Sequence, residues 1–271
     1  MKYALLIILI FNISFCEAQT KLKVYYKKTS IGYRIYADNN EFCPVSTKFD
    51  FSLTNLFVKD GKKQAFVIEP LAKEQLLTSL NIIDKHKAYG FTYNFTSYLG
   101  DYRVDEVDEK YNYSLPYKTG QEFRINQGYL GTSTHKNVNA LDFSLPFGTE
   151  VVAIRDGIVV RVIENHQRGC PTKDCASYTN YITIYHSDGT FAEYAHLKHD
   201  GSLVKEGDKV LKDQLIGFSG NTGWCSGPHL HIEVYKRNFK VKKSLQTKFR
   251  IGNGGQTVGY LKEGETYLKD Y

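Results

Sequence analysis

Gly227-Pro228-His229-Leu230-His231-Ile232-Glu233-Val234 alternates polar and apolar side chains without a break. A β-strand turns that alternation into two faces, because successive side chains point to opposite sides of the pleat. His229, His231 and Glu233 share one face; Leu230, Ile232 and Val234 take the other. Such a strand buries its apolar side in a sheet and holds two imidazoles over a groove. Histidines two apart on a strand suit a metal or catalysis, and they also occur on ordinary surfaces. Upstream, Val151 to Ile154, Ile158 to Ile163, Tyr181 to Tyr185 and Phe191 to Ala195 read as short strands, with Asp156-Gly157 and Asp188-Gly189 as hairpin turns between them. Long helical patterns are absent there, which predicts an all-β domain from residue 116 to 250, with the segment His166 to Tyr178 projecting as a loop.

The preceding chain has a different texture. Residues 20 to about 100 are rich in Tyr, Phe, Val and Thr in alternating runs: Ile31 to Ala37, Phe49 to Val58, and Phe91 to Leu99 with its period-two Phe91, Tyr93 and Phe95. They predict a small β-sandwich-like domain over 19–100. Leu71 to Lys85 is the one stretch whose apolar spacing predicts a helix. Acidic residues 101–115 read as a linker and 251–271 as a C-terminal extension.

Residues 1–18 read as a secretory signal peptide: Lys2, then the apolar run Ala4 to Phe11, then Cys16-Glu17-Ala18 before a cut at Gln19. The run is too short to span a bilayer, which needs about 20 apolar residues. Bulky Phe15 before Cys16 speaks against lipid attachment. The expectation is a soluble protein exported to the periplasm or beyond the cell. The net charge is +6, but cations and acids are interleaved, so nucleic-acid binding has no support. Of the cysteines left after export, Cys170 and Cys175 are close enough in sequence to close a disulfide loop, with zinc capture as the rival reading, while Cys43 and Cys225 pair or stay free.

Two further clusters bear on chemistry. Thr134-His135 opens a loop ending in Ala140-Leu141-Asp142-Phe143, where Asp142 between apolar neighbours is either a metal ligand or a satisfied turn group. Tyr194-Ala195-His196-Leu197 puts a histidine at a strand end, as a site residue or a half-buried core histidine. His86, His166, His186 and His199 lie in polar surroundings and read as surface.

Taken in order, His135 with Asp142, Pro146-Phe147-Gly148-Thr149, Asp156-Gly157, Tyr194 to Leu197, Gly207-Asp208 with Ile216-Gly217, Asn221-Thr222-Gly223 and Gly227 to His231 resemble the lysostaphin-type, or LytM-like, zinc peptidases from about Gly128 to Tyr235. The resemblance implies an all-β metallopeptidase domain with a groove over an antiparallel sheet. It implies one Zn2+ held by His135, Asp142 and His231, with His196 and His229 as the catalytic pair. The family's first two ligands often sit closer together than here, where Lys136 to Leu141 intervene. Its members cut peptide bonds in bacterial peptidoglycan, at D-amino-acid crosslinks or glycine bridges. Three protein ligands leave a fourth zinc position for water, whose pKa the metal lowers towards about 7, and a neighbouring imidazole then serves as acid, base or oxyanion donor. Glu233 either orients a ligand or faces solvent. A cupin-type oxidoreductase is excluded because no histidine follows His231, and a lipoyl or biotin carrier because Met1 is the only methionine. A non-catalytic, wall-binding or hydrolase-activating protein of the same fold is the alternative, and the filling of all five positions favours catalysis.

Overall fold

The computed structural model describes residues 20–271 apart from 60, 62, 63 and 105, so the expected signal peptide lies outside the described residues. The fold is mainly β, and helical structure among the described residues is confined to the 3-10 turns Lys173–Tyr178 and Asn253–Gly255.

The N-terminal part forms two sheets. One orders Leu22–Thr29, Gly32–Asn39, Gln75–Ile82 and Leu56–Val58; the other places Val45–Thr54 between Ala65–Ile68 and Gly90–Leu99. Ile35, Ala37, Phe49, Phe66, Ile68 and Leu80 fill the core they share. The predicted helix over Leu71 to Lys85 is a strand instead, Gln75–Ile82. Its apolar residues Leu76, Leu77 and Leu80 have helical spacing, but the segment is captured between Gly32–Asn39 and Leu56–Val58, and tertiary pairing overrides local pattern.

A nine-stranded sheet dominates the rest. Its order is Lys209–Val210, Gly157–Ile163, Tyr181–Tyr185, Phe191–Ala195, Leu230–Arg237, Ala140–Phe143, Glu122–Gln127 and Thr266–Leu268, with Lys242–Ser244 also paired to Leu230–Arg237. Asp188-Gly189 closes a hairpin, Tyr185 facing Phe191. Asp156-Gly157 does not: Glu150–Val152 pairs with Leu215–Ser219 in a separate sheet, so this turn carries the chain from one sheet into the next. The dyad pattern of Leu230–Arg237 sends Leu230, Ile232 and Val234 into the main core with Leu141, Phe143, Ile182, Ile184 and Tyr194. That core also takes in Tyr113, Leu115 and, near the C-terminus, Leu261 and Tyr267.

The opposite face of the sheet carries His231, Glu233 and Tyr235 in succession along one strand. At its far end Tyr235 stacks on Phe191 with ring centroids 5.3 Å apart. There both pack with Val160 against Cys43, Phe42 and Leu99 of the N-terminal part. Each such side chain contributes about 1.5–3 kcal/mol by leaving water. Two details fix the contact. The guanidinium of buried Arg161 donates to both carboxylate oxygens of fully buried Glu41, each at 2.6 Å. Gly207 has φ +95° and lies so close to the Phe42 ring that a Cβ would come within 2.6 Å of it, so only glycine fits. The N-terminal part therefore covers one end of the face whose other end holds the histidines.

Candidate metal centre

Register assembles the centre. On neighbouring antiparallel strands Asp142 lies opposite His231, and His231 lies opposite Ala195, the residue before His196. Directly opposed residues share a face with Cβ atoms about 4.5–5.5 Å apart. Residues 142, 195 and 231, remote in sequence, thus fall into one row across the sheet.

His135 reaches this row from the loop after Glu122–Gln127. The residues between His135 and Asp142 form a closed turn, Val138 N–H donating to the His135 carbonyl at 3.0 Å and Leu130 N–H to that of Val138 at 2.9 Å. That turn absorbs the wide spacing seen in the sequence. Nδ1–H of His135 donates to the Gly128 carbonyl at 3.0 Å, which turns Nε2 towards Asp142, a lone pair for a metal once the proton shared with that carboxylate leaves.

Among the described residues, His135, Asp142 and His231 form the one group of three with metal-ligand atoms in common reach, all within 4.8 Å of one another. Asp142 Oδ1 is 3.2 Å from His135 Nε2 and 2.9 Å from His231 Nδ1, and the two ring nitrogens are 3.2 Å apart. Tetrahedral ligands about 2.0–2.1 Å from a zinc ion are about 3.3 Å from each other. The triangle of donors fits such an ion, and two imidazoles with one carboxylate are a donor set zinc accepts.

Electrostatics agree. Burial works to raise the Asp142 pKa, but hydrogen bonds from His135 and His231, and their charge, outweigh it and hold the carboxyl far below the usual range. For His135 burial opposes the charged form, and the Asp142 carboxylate overcomes this, so the net direction is up. Asp142 is an anion awaiting cations.

His196 and His229 stand beside the triangle with ring centroids 4.5 Å apart, and His196 lies 5.9 Å from the His231 ring. His196 sits at φ +65°, a left-handed conformation that costs a non-glycine residue about 1–2 kcal/mol and swings the side chain out of the strand's alternation. Its Nδ1–H donates to the Thr222 carbonyl at 2.7 Å; that of His229 donates to the Gly227 carbonyl at 2.9 Å. Both rings are thereby fixed with Nε2 free, and His229 Nε2 lies 3.9 Å from Asp142 Oδ1. Burial first, then the charges of His229 and His231, push the His196 pKa down to about 3, so its ring is neutral.

All five residues singled out in the sequence meet here. Glu233 does not join them: it is buried, and its carboxylate accepts from Lys242 Nζ at 2.7 Å, so it neither orients a ligand nor faces water. Nor is His186 a surface residue. It is fully buried beneath the Asp188-Gly189 hairpin, its Nδ1–H donating to the Asp156 carbonyl at 2.8 Å. Cys170 and Cys175 form a disulfide, while Cys43 and Cys225 are free and buried. Backbone carbonyls of Gly128, Thr222 and Gly227, which set three ring tautomers, were invisible to side-chain reasoning. Their only trace in the sequence is the glycine in or beside each.

Residues 136–243 match the family model described as Peptidase family M23, a span that contains Asp142, His196, His229 and His231 and begins just after His135. An uncharacterized metalloprotease of Buchnera aphidicola is 29% identical over 191 residues, covering 69% of this chain and 48% of that protein. Peptidoglycan DD-endopeptidase ShyA of Vibrio cholerae is 33% identical over 193 residues, covering 68% of this chain and 42% of that protein. The solved structure of a zinc containing peptidase from Vibrio cholerae is 20% identical, with a TM-score of 0.37, and the match covers 79% of this chain and 54% of that one. The chain spans about half the length of the curated relatives it matches.

Proposed function

We propose that this chain, which carries a Peptidase family M23 domain at residues 136–243, is a zinc-dependent endopeptidase that hydrolyses peptide crosslinks of bacterial peptidoglycan outside the cytoplasm. The observation that carries this reading is the triangle of donors at 2.9–3.2 Å with two tautomer-fixed imidazoles beside it. The kinship with ShyA, a peptidoglycan DD-endopeptidase, supports the substrate class.

In this reading His135, Asp142 and His231 hold the metal. Zinc supplies there a Lewis acid that polarises the scissile carbonyl and makes water nucleophilic near neutral pH. His196 and His229 move the protons. Each presents a bare Nε2: one accepts the proton that water releases on adding to the carbonyl carbon, and the amine nitrogen receives a proton as the C–N bond breaks. The second imidazole faces the oxyanion, and where it is the ring that takes water's proton it donates that N–H there before the same proton passes to the amine. The His231 side chain keeps 18% of its surface accessible, and in this reading the substrate peptide approaches the centre from that side. The peptidase unit in this scheme reaches beyond the expected 116–250, because strand Thr266–Leu268 belongs to its sheet and Tyr113, Leu115 and Leu261 to its core, with 19–100 as a unit that carries no ligand.

The test is direct. Purified protein should contain one zinc per chain and, incubated with crosslinked muropeptides, release products whose masses locate the bond cut. A folded, zinc-loaded protein that leaves every crosslink intact would favour the non-catalytic reading.

A further inference from the structure

Asp142 has two carboxylate oxygens, and only Oδ1 faces His135 and His231. The other, Oδ2, accepts from Gln127 Nε2 at 3.1 Å. Gln127 lies directly opposite Asp142 on the neighbouring strand, so register brings its carboxamide to this oxygen. The same Nε2 also donates to Thr134 Oγ1 at 2.6 Å, while Gln127 Oε1 accepts the N–H groups of Ser133 at 3.2 Å and Thr134 at 3.0 Å. Thr134 precedes His135. One side chain thus ties the Asp142 carboxylate to the loop that delivers His135, and the next residue, Gly128, supplies the carbonyl that fixes the His135 ring.

We infer that Gln127 is the positioning residue of the metal centre, setting the rotation of the Asp142 carboxylate and the approach of His135 together. The inference rests on the zinc reading of the site. Physical reasons single out glutamine. The position needs a donor towards an anion and an acceptor towards two backbone N–H groups at once, and a carboxamide offers both. Glutamate would set a second carboxylate against Asp142, and asparagine is one methylene too short to span both partners. The loop is shaped to the side chain: a Cβ on Gly131 would come within 2.7 Å of Gln127 Cγ, so glycine there lets the backbone lie against it. A hydrogen-bonded partner fixes the orientation of a metal ligand, and its loss typically costs about 10–100-fold in metal affinity or activity.

The experiment compares wild type with Gln127→Met, which keeps the length and removes both polar functions. Zinc affinity is measured by competition with a chromophoric chelator, beside the melting temperature of the zinc-free protein and the rate of muropeptide cleavage at saturating zinc. The expected result is zinc binding weaker by about 10–100-fold in a protein whose zinc-free fold melts as wild type does. Wild-type zinc affinity in folded Gln127→Met overturns the inference. Should Gln127→Met fail to fold, Gln127→Asn carries the same expectation of weakened zinc and is overturned by the same wild-type affinity. If wild type itself takes up no zinc, the metal reading of the site fails and this inference fails with it. If wild type binds zinc tightly yet cleaves nothing, the affinity comparison still decides the role of Gln127.

Discussion

Replacing Arg161 with Met should strand the carboxylate of Glu41. That carboxylate is fully buried, and it accepts two guanidinium N–H groups at 2.6 Å and one backbone N–H, from Lys21, at 2.7 Å. Methionine fills much of the arginine's volume but leaves the anion with a single hydrogen bond. Breaking a buried ion pair by removing one partner costs about 3–5 kcal/mol. In a chain of this size each kcal/mol moves the melting temperature by about 2–4 °C, so a fall of about 6–20 °C is expected. The pH dependence carries a sign. In the native protein burial works to raise the Glu41 pKa, and the hydrogen bonds and charge of Arg161 with the Lys21 N–H outweigh it, so the folded value lies below the ordinary one. The pair therefore stabilises fully above about pH 4.3 and loses its contribution as the pH falls through the folded pKa. In Arg161→Met burial is opposed by only the Lys21 N–H and the Lys21 charge, the Glu41 pKa rises, and protonation relieves the penalty as the solution is acidified. The stability gap between the two proteins should narrow from pH 7 towards pH 4. Thermal unfolding across that range, with zinc content as a control on the distant metal centre, measures it. The double variant Glu41→Met with Arg161→Met should recover most of the loss. A single variant within about 1 kcal/mol of wild type, or a double variant as unstable as the single one, would refute the reasoning.

Other outcomes follow from the site. His231→Ala or Asp142→Ala should lose zinc and cleavage together, whereas His196→Ala or His229→Ala should keep zinc and lose about 100-fold or more in turnover, read by metal analysis beside cleavage rate. Removing the disulfide with Cys170→Ser and Cys175→Ser should lower turnover while zinc stays bound. The disulfide pins Cys170, whose carbonyl accepts the Cys225 N–H, and just before it the Arg168 carbonyl accepts the Gly223 N–H, so this segment braces the Thr222 carbonyl that orients His196. His186 has a pKa pushed down by burial to about 4, so unfolding takes up a proton between that value and about 6.5, and stability should fall by up to about 3 kcal/mol as the pH drops through that window. His186→Phe should flatten that slope in pH-dependent denaturant unfolding.

The strands that carry the site were legible because alternation is a property of neighbours in sequence. Tyr181–Tyr185 and Phe191–Ala195 have the bounds that their dyad pattern and flanking turns suggested, while Leu230–Arg237 is shifted towards the C-terminus from the stretch Gly227 to Val234 read as a strand. Misreadings arose where partners were remote. Nothing in Leu71 to Lys85 announces the two strands that capture it, and nothing in Asp156-Gly157 says that the strand before it joins another sheet. His186 looked solvated because its neighbours Ser187 and Asp188 are polar, yet Tyr113, from 73 positions upstream, covers its ring at a centroid distance of 6.4 Å. The five residues proposed for the site were singled out through chemical type, order and the family resemblance, but the distances between them depend on register, which no single segment encodes.

Register also joins the site to the part of the chain that holds no ligand. His231 and Tyr235 are four residues apart on one strand and so lie on one face. Tyr235 is opposite Phe191 just as His231 is opposite Ala195. A slip of one residue between these strands would send His231 into the core and lift Tyr235 off the N-terminal contact in the same movement. Packing of Cys43, Phe42 and Leu99 on Phe191 and Tyr235 therefore opposes the slip that would dismantle the row of Asp142, His231 and Ala195. In the proposed scheme the N-terminal part supplies no atom to the chemistry, yet it stabilises the pairing on which the positions of Asp142 and His231 depend.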